Sequence, residues 1–264
     1  MVNFKFQFIG SGNARSKPPV NYNTNVLVHA PGGKWLIDFG LMGPLALQNA
    51  GYRTAQIDAA FITHLHGDHV YGIEEVLFES FFKLHRRFTL WLPTNFVRPY
   101  AAHGEDIWEN FLKASMTSAV LETDGYRQLS FEDYADIQPI EVGKKYSFMG
   151  VPVETFPVNH VWNRSTFGIC LDDRIFYTSD STFSRRAIER VFERGAELLF
   201  HDVSFLPARP GAVHASFDEL KTLPKDMIEK IVLMHYADEV TDDEKQNAID
   251  LGFRLAKCGQ VFEF

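Results

Sequence analysis

Three histidines and an aspartate fall within six consecutive positions of the chain, at His64, His66, Asp68 and His69. An apolar run at 59–63 precedes them, so they stand where a predicted strand ends. Side chains of these types crowded together need partners, and one metal ion satisfies them through neutral ring nitrogens and anionic oxygens. Alternation along a strand puts His64 and His66 on one face, so both can reach one ion. The motif indicates metal-dependent chemistry rather than a solvated histidine-rich turn.

The elements that must position this motif are short and alternate along the chain. Thr241 with Glu244, and Ser216 with Glu219, have the spacing of capping boxes at helix starts. With no linker-like tract, the pattern favours one domain over residues 1–264, with two sheets face to face and helices outside. Apolar patterning predicts strands at 4–9, 25–29, 35–38, 59–63, 89–92, 151–156, 166–171 and 175–178, and helices at 73–84, about 107–117, 184–194 and 242–257.

One segment, about 75–135, is dense in aromatic residues and is predicted to be a helical insertion. It is either a cap packed on the sheets or a lid or dimer surface over an active site, since exposed aromatic patches usually mark contacts. In the second case, tyrosines such as Tyr100 or Tyr126 could stack on a substrate in a partner's pocket.

The composition limits the classes of partner. A formal net charge of −8 makes a clamp on long nucleic acid a poor expectation, because such binding depends on clustered Lys and Arg. The two cysteines, Cys170 and Cys258, form no ligand-like pair, which fits a reduced, cytoplasmic setting. The pattern predicts neither a signal peptide nor a membrane span.

The H-x-H-x-D-H motif resembles the signature of the metallo-β-lactamase superfamily, and the resemblance extends over nearly the whole chain. It implies an α/β fold, a four-layer αββα sandwich, and three further ligands that each follow an apolar run: His160, Asp180 and His235. Asp38 matches an early acidic residue of the superfamily, for which we expect a role in orienting a ligand histidine or the backbone near the site.

The resemblance implies two divalent metal ions, which share a hydroxide. Zinc suits the imidazole-rich sets, and manganese or iron could occupy the same ligands. One ion would be held by His64, His66 and His160, a second by Asp68, His69 and His235, and both by Asp180 as a bridge.

Two segments are similar to the ribonuclease Z-like phosphodiesterase branch of this superfamily. His214 lies in one of them, and the resemblance implies that it protonates the leaving oxygen as a general acid. Asp202 lies in the other and would orient His214, although Asp stands here where the branch has Glu. Asp68 is expected to be a catalytic group together with His214 and Asp202. The neighbouring His201 is expected to be structural, and His29, His85 and His103 show no pattern of partners.

The branch members that process tRNA commonly carry a long basic arm between the third and fourth metal motifs. Only nineteen residues separate His160 from Asp180 here, which favours a small substrate. The chain looks like the anti-Pycsar proteins of phages and bacteria, a resemblance that implies hydrolysis of cyclic mononucleotides to nucleoside monophosphates and hence evasion of immunity. Arg164 is a candidate contact for the phosphate or the base.

Three alternatives stay open at the level of sequence. The enzyme could process RNA 3′ ends, or it could hydrolyse another ester such as a cyclic phosphate or a lactone. A noncatalytic protein could instead sequester nucleotides in the same pocket, although all seven ligand positions are filled. Related phosphodiesterases also lead us to expect a homodimer.

Overall fold

Two seven-stranded sheets and one hairpin account for the strands in the part of the chain that the structure, a computed structural model, describes, residues 2–101 and 104–264. His103 lies outside these residues. The strands are β1 (Lys5–Gly10), β2 (Asn25–Ala30), β3 (Gly33–Ile37), β4 (Ala59–Phe61), β5 (Phe88–Pro93), β6 (Ala119–Glu122), β7 (Gly125–Gln128), β8 (Ala135–Ile140), β9 (Lys145–Phe148), β10 (Val151–Pro157), β11 (Phe167–Leu171), β12 (Ile175–Tyr177), β13 (Leu198–Asp202), β14 (Ile231–Met234), β15 (Arg254–Leu255) and β16 (Val261–Glu263).

The direction of the strands decides where a site can form. The first sheet has the order β16-β1-β2-β3-β4-β5-β8 and is antiparallel from β16 to β3 and parallel from β3 to β8. The second has the order β15-β14-β13-β12-β11-β10-β9 and is antiparallel from β9 to β12 and parallel from β12 to β15. Strands β10, β12, β13 and β14 therefore run in one direction, and their carboxyl ends meet at one edge, where α/β sheets commonly bind ligands.

Helices cover the outer faces of both sheets. Both predicted capping boxes form: Thr241 Oγ1 accepts from Glu244 N at 3.2 Å, and Glu219 Oε2 accepts from Ser216 N at 3.0 Å. The helices are α1 (Gly43–Asn49), α2 (Gly67–Val70), α3 (Ile73–Phe78), α4 (Lys113–Met116), α5 (Phe131–Tyr134), α6 (Arg185–Glu193), α7 (Phe217–Leu220), α8 (Lys225–Ile228) and α9 (Asp242–Leu251), with π-helical turns at Glu79–Lys83 and Trp108–Leu112 and 3-10 turns at Thr54–Gln56 and Thr94–Phe96. Among the described helices, none is long and apolar enough to cross a bilayer.

Three hydrophobic layers hold the elements together. The layer between the sheets is aromatic, and in it Phe6 of β1 stacks on Phe200 of β13 with ring centroids 4.5 Å apart. A second layer joins the first sheet to its helices and includes Leu77 and Tyr134. A third joins the second sheet to its helices and includes Ile188. This stacking confirms the predicted four-layer αββα sandwich.

The predicted helix at 242–257 is too long. The helix α9 ends at Leu251, because Gly252 takes a left-handed φ of 109° that glycine adopts without a steric penalty. The chain then turns back, and Arg254–Leu255 forms β15, which pairs in parallel with β14. The predicted helix extended into this segment only because Phe253, Leu255 and Ala256 are apolar side chains that are buried here by the sheet and its neighbours.

The aromatic segment 75–135 is not a helical insertion throughout. It contains β5, which pairs with β4 and β8 in the first sheet, and the hairpin β6–β7. Part of it packs as a cap: Trp108 stacks on Phe131 with ring centroids 5.2 Å apart. Tyr100 and Tyr126 remain 66% and 79% exposed, so this segment also has an uncovered surface.

We predict that Phe200→Ala lowers the free energy of unfolding by about 3–5 kcal/mol, because it leaves a cavity between the sheets that the stacked ring of Phe6 cannot fill. Urea unfolding followed by circular dichroism measures the change. Val20→Ala, at a side chain that is 69% exposed, is the control and should change the free energy by less than about 0.5 kcal/mol. Equal losses in the two variants would contradict this account of the core.

Candidate metal and acid–base site

Each predicted site residue follows the carboxyl end of a strand. Asp38 follows β3, His64 to His69 follow β4, His160 follows β10, Asp180 follows β12 and His235 follows β14, and Asp202 ends β13. One detail of the prediction is wrong: β4 ends at Phe61, so His64 and His66 lie in a loop and not on one strand face. The helix α2 then begins at Gly67, as expected for Asp68 and His69.

The first group of side chains brings together three imidazoles and a carboxylate. Nδ1 of His66 lies 3.0 Å from Nε2 of His64 and 3.2 Å from Nε2 of His160. Oδ2 of Asp180 lies 3.9 Å from Nε2 of His64 and 3.7 Å from Nε2 of His160. These four residues are the ones that the sequence assigned to the first ion and to the bridge.

The second group shares Asp180 with the first. Its Oδ1 lies 3.3 Å from Nε2 of His69, and its Oδ2 lies 3.2 Å from Nε2 of His235. Asp68 Oδ2 lies 3.3 Å from the same nitrogen of His69 and 3.8 Å from that of His235. The ligand atoms within each group all lie within 4.8 Å of one another, so the two predicted ligand sets exist as two adjoining clusters.

Hydrogen bonds on the outer side of the rings aim the inner nitrogens. Asp38 Oδ2 accepts from Nδ1 of His69 at 2.7 Å and from the Thr63 hydroxyl at 2.8 Å, which agrees with the orienting role expected for Asp38. The Val213 carbonyl accepts from Nδ1 of His160 at 2.8 Å. Both rings are thereby left with Nε2 directed at the cluster, and such outer partners fix the tautomer and orientation of ligand histidines.

The backbone around the site adopts conformations that few side chains favour. Asp38, Ser179 and His235 have φ values of 62°, 58° and 62°, in the left-handed region that costs energy for residues other than glycine. At Gly40 a Cβ would lie only 1.7 Å from the carbonyl oxygen of Asp68, so only glycine allows the loop after β3 to close on α2. The fold therefore stores strain where the clusters form.

Burial and neighbouring charges move the pKa values in opposite directions. Burial, followed by the neighbouring histidines, holds the pKa of His64 well below its usual value. Burial also opposes the charge on His69, but the carboxylates of Asp180, Asp68 and Asp38 outweigh it and raise its pKa well above normal. The Asp180 carboxyl has a pKa well below normal, because the surrounding histidines overcome the effect of burial. The clusters thus keep their carboxylates ionised.

The donor set fits divalent metal. A tetrahedral site with metal–nitrogen distances of 2.0–2.1 Å has edges of about 3.3 Å, close to the 3.0 and 3.2 Å between the rings of the first group. Nε2 of His69 is buried without a hydrogen-bond partner in the described structure, although two carboxylates face it. Such a nitrogen would gain a partner on binding a cation.

Beside the clusters, His214 and Asp202 form the pair that the resemblance predicted. Nδ1 of His214 donates to Oδ2 of Asp202 at 2.8 Å, and Ser181 N donates to the same oxygen at 2.9 Å. The Asp202 side chain, although shorter than the Glu of the branch, therefore reaches His214. Burial alone would lower the pKa of His214, but the hydrogen bond and charge of Asp202, with Asp180 and Asp68, raise it to about 9. The ring is thus a proton donor at neutral pH.

Some supporting groups could not be read from the sequence. The hydroxyls of Thr63 and Ser179 are 2.7 Å apart and join the two sheets directly behind the ligands. Their position next to His64 and Asp180 was the one signal available. His201 is buried, and its Nδ1 contacts the carbonyl oxygen of Asp202 at 2.7 Å, which fits a structural role, whereas Arg164 is exposed at the rim.

The fold and site together define a protein of the metallo-β-lactamase fold. The solved structure of the metallo-β-lactamase fold protein YhfI from Bacillus subtilis is similar over 99% of this chain and 100% of its own, with a TM-score of 0.73 and 17% identity. Residues 4–262 match the family model described as anti-Pycsar protein Apyc1, and the chain belongs to that family.

Two curated relatives carry the same description. The anti-Pycsar protein Apyc1 of Saccharibacillus brassicae is 38% identical over 234 residues, which cover 88% of this chain and 89% of the relative. That of Paenibacillus harenae is 33% identical over 235 residues, which cover 89% and 90% respectively. The family match at residues 4–262 spans all the candidate ligands from His64 to His235.

We predict that Asp38→Asn weakens metal binding by about 10–100-fold, because the amide cannot hold His69 as a charged carboxylate does. Asn tolerates the left-handed backbone at this position, so the change tests the side chain. Competition titration with a metal-sensitive dye gives the affinity, and thermal unfolding checks the fold. Asp173→Asn, at an exposed residue with a similar φ of 58°, is the control. Equal affinities in the two folded variants would be inconsistent with the orienting role.

Proposed function

We propose that this protein is a dinuclear metal-dependent phosphodiesterase that hydrolyses cyclic mononucleotides to nucleoside monophosphates. The observation that carries the proposal is the convergence of seven side chains into two clusters that share Asp180, with the His214–Asp202 pair at their edge. Membership of the anti-Pycsar protein Apyc1 family supports the same substrate class.

The ligands would be His64, His66 and His160 for one ion, Asp68, His69 and His235 for the other, and Asp180 for both. Zinc suits these imidazole-rich sets best, and manganese is the alternative. When bound, two divalent cations supply water of lowered pKa and stabilise the negative charge that develops on the phosphoryl oxygens.

The chain's own residues provide the proton transfer. His214 is the general acid: its ring is one-third exposed at the edge of the clusters, and it would give a proton to the ribose oxygen as the P–O bond breaks. Asp202 holds the ring by Nδ1 and so directs Nε2 outward. The neighbouring histidines lower the pKa of the partly exposed Asp68 carboxylate to about 2 against the effect of burial, so this group is ionised and would accept a hydrogen bond from the attacking water.

The short connection between His160 and Asp180 favours a small substrate. This span contains six loop residues before β11, then β11 and β12, and offers no room for a long arm that would bind RNA. The ligands also lie at the edge of a chain with a net charge of −8, which disfavours long polyanions. A cyclic mononucleotide carries one phosphodiester charge and a planar base, and both can be accommodated.

We expect the metal-loaded protein to release a nucleoside monophosphate from a cyclic mononucleotide, and to lose this activity in chelator. In His66→Ala the activity should fall by more than about a hundredfold, since removing a mere outer partner of a ligand already costs 10–100-fold. His29→Gln, at a ring hydrogen-bonded to Gln7, is the control. Products are separated by chromatography, and metal analysis identifies the ions.

The same assay includes a tRNA precursor, a lactone and bis(p-nitrophenyl) phosphate beside the cyclic nucleotides. Faster cleavage of the precursor or the lactone would replace the proposed substrate class. Tight nucleotide binding without turnover would instead indicate a sequestering protein.

The assigned role of His214 makes a separate prediction. His214→Gln should lower kcat on a cyclic nucleotide by about 10²–10⁴-fold, because the ribose alkoxide leaves poorly without a proton. The loss should be much smaller with bis(p-nitrophenyl) phosphate, whose p-nitrophenolate leaves unaided. Steady-state kinetics on both substrates measure the difference. An equal loss on both would show that His214 does not act as the acid.

We also propose a homodimer, in which the hairpin β6–β7 contacts the partner. Every residue of β7 is exposed, and an isolated two-stranded hairpin is marginally stable in water, so a covering surface would stabilise it. Tyr126 at 79% exposure would then lie in the contact. Sedimentation should give twice the mass of one chain, and Tyr126→Ala should weaken the association. Full turnover after dilution to monomers would exclude a role for the hairpin in the partner's site.

A further inference from the structure

The loop His160–Ser165, which connects β10 to β11, presents an exposed tryptophan beside the metal clusters. Trp162 is 91% exposed, whereas the large aromatic side chains of the core are buried. It stands two positions after His160, whose Nε2 belongs to the first cluster. A tryptophan at such exposure contributes little to folding, because the hydrophobic effect acts only on surface removed from water.

Hydrogen bonds hold both ends of this loop. At its first end, Nδ1 of His160 donates a hydrogen bond to the Val213 carbonyl. Next to it, the carbonyl oxygen of Asn159 accepts a hydrogen bond from Thr182 N at 2.7 Å. At its second end, Ser165 donates hydrogen bonds from N and Oγ to the two carboxylate oxygens of Glu105, at 2.6 and 2.7 Å. Glu105 is buried and comes from another segment of the chain. Hydrogen bonds to other segments of the chain therefore hold both ends of the loop in defined positions.

A cavity of about 440 Å³ lies along this loop, and its lining includes His160, Trp162, Arg164 and Glu105. Its volume is in the range of small-molecule sites. The Glu105 carboxylate is engaged with Ser165, and Arg164 makes no ion pair or side-chain hydrogen bond with the residues that the structure describes. The cavity thus offers an aromatic face and, among the described residues, a guanidinium group that forms no ion pair, beside His160 of the first cluster.

We propose that this loop is the subsite for the nucleotide: Trp162 stacks on the base, and Arg164 pairs with the phosphate. The inference rests on the proposed function and names the residues that would recognise its substrate. Every base has a face on which an indole can stack, so the subsite would accept several bases with a preference for the larger purines. The arginine would add affinity that is independent of the base.

The two residues make different predictions. Trp162→Ala should raise KM for cyclic AMP by about tenfold, which is a typical effect of losing one base stack. The rise should be smaller for cyclic UMP and smallest for an abasic ribose 3′,5′-cyclic phosphate. Trp162→Phe should restore part of the affinity. Arg164→Gln should raise KM by a similar factor on all three substrates. Ile249→Ala, at an exposed apolar side chain on α9, is the control.

Binding is also measured without turnover. The metal-loaded protein is titrated with a slowly hydrolysed cyclic AMP phosphorothioate while its tryptophan emission is recorded. The chain has four tryptophans, and quenching of the exposed, red-shifted component should disappear in Trp162→Phe. Arg164→Gln should shift the titration to higher concentration and keep the quenching.

The outcomes separate this inference from the proposed function. If the wild-type protein cleaves no cyclic nucleotide, the proposed function fails. If it does, but Trp162→Ala raises KM equally on the abasic and purine substrates, or leaves it unchanged, the stacking role is wrong. Loss of the dimer in Trp162→Ala, with unchanged KM in the remaining monomer, would assign Trp162 to the subunit contact and overturn the subsite.

Discussion

The structure depends on one buried carboxylate, that of Asp180, which is 3% exposed and surrounded by imidazoles from both clusters. An ionised carboxylate without partners is costly to bury, and breaking such a network leaves an uncompensated charge. Nε2 of His235 lies 3.2 Å from Oδ2 of Asp180, and Nε2 of His69 lies 3.3 Å from Oδ1. These two rings come from opposite sheets and stabilise the carboxylate charge. The charge balance at this point is therefore possible only when the two sheets are correctly packed.

The packing of the sheets is set by polar contacts as well as by the aromatic layer between them. Thr63 follows β4 of the first sheet, and its carbonyl accepts from Phe167 N of β11 in the second at 3.0 Å. Its hydroxyl meets Ser179. His235 N donates to the Ser11 carbonyl at 2.8 Å, which ties the end of β14 to the loop after β1. A shift of one sheet along the other would break these contacts and separate the two halves of each cluster.

The fold class and the candidate ligands could be predicted because each ligand is a polar residue directly after an apolar run, a local pattern. Among the outer partners, Asp38 was expected to orient a ligand, but Val213 and Thr63 were not. Val213 acts on His160 through a carbonyl group, which every residue has, and it lies 53 positions away. The end of α9 was missed for a related reason: the buried side chains Phe253, Leu255 and Ala256 continue the apolar pattern beyond Gly252. Tertiary contacts, rather than local preference, decided these cases.

The candidate ligands and the surrounding loops differ in the part of the fold that carries them. The candidate ligands extend from strand ends that two packed sheets hold in place, and this arrangement by itself carries little information about the rest of a substrate. Selectivity must then come from surfaces around the clusters, which here are connections such as His160–Ser165 and the hairpin β6–β7. Exposed side chains on such connections, Trp162 and Tyr126 among them, can change without disturbing the packing of the sheets. The geometry of the candidate metal site thus depends on the packing of the two sheets, whereas the proposed recognition of the base would depend on the loops beside them.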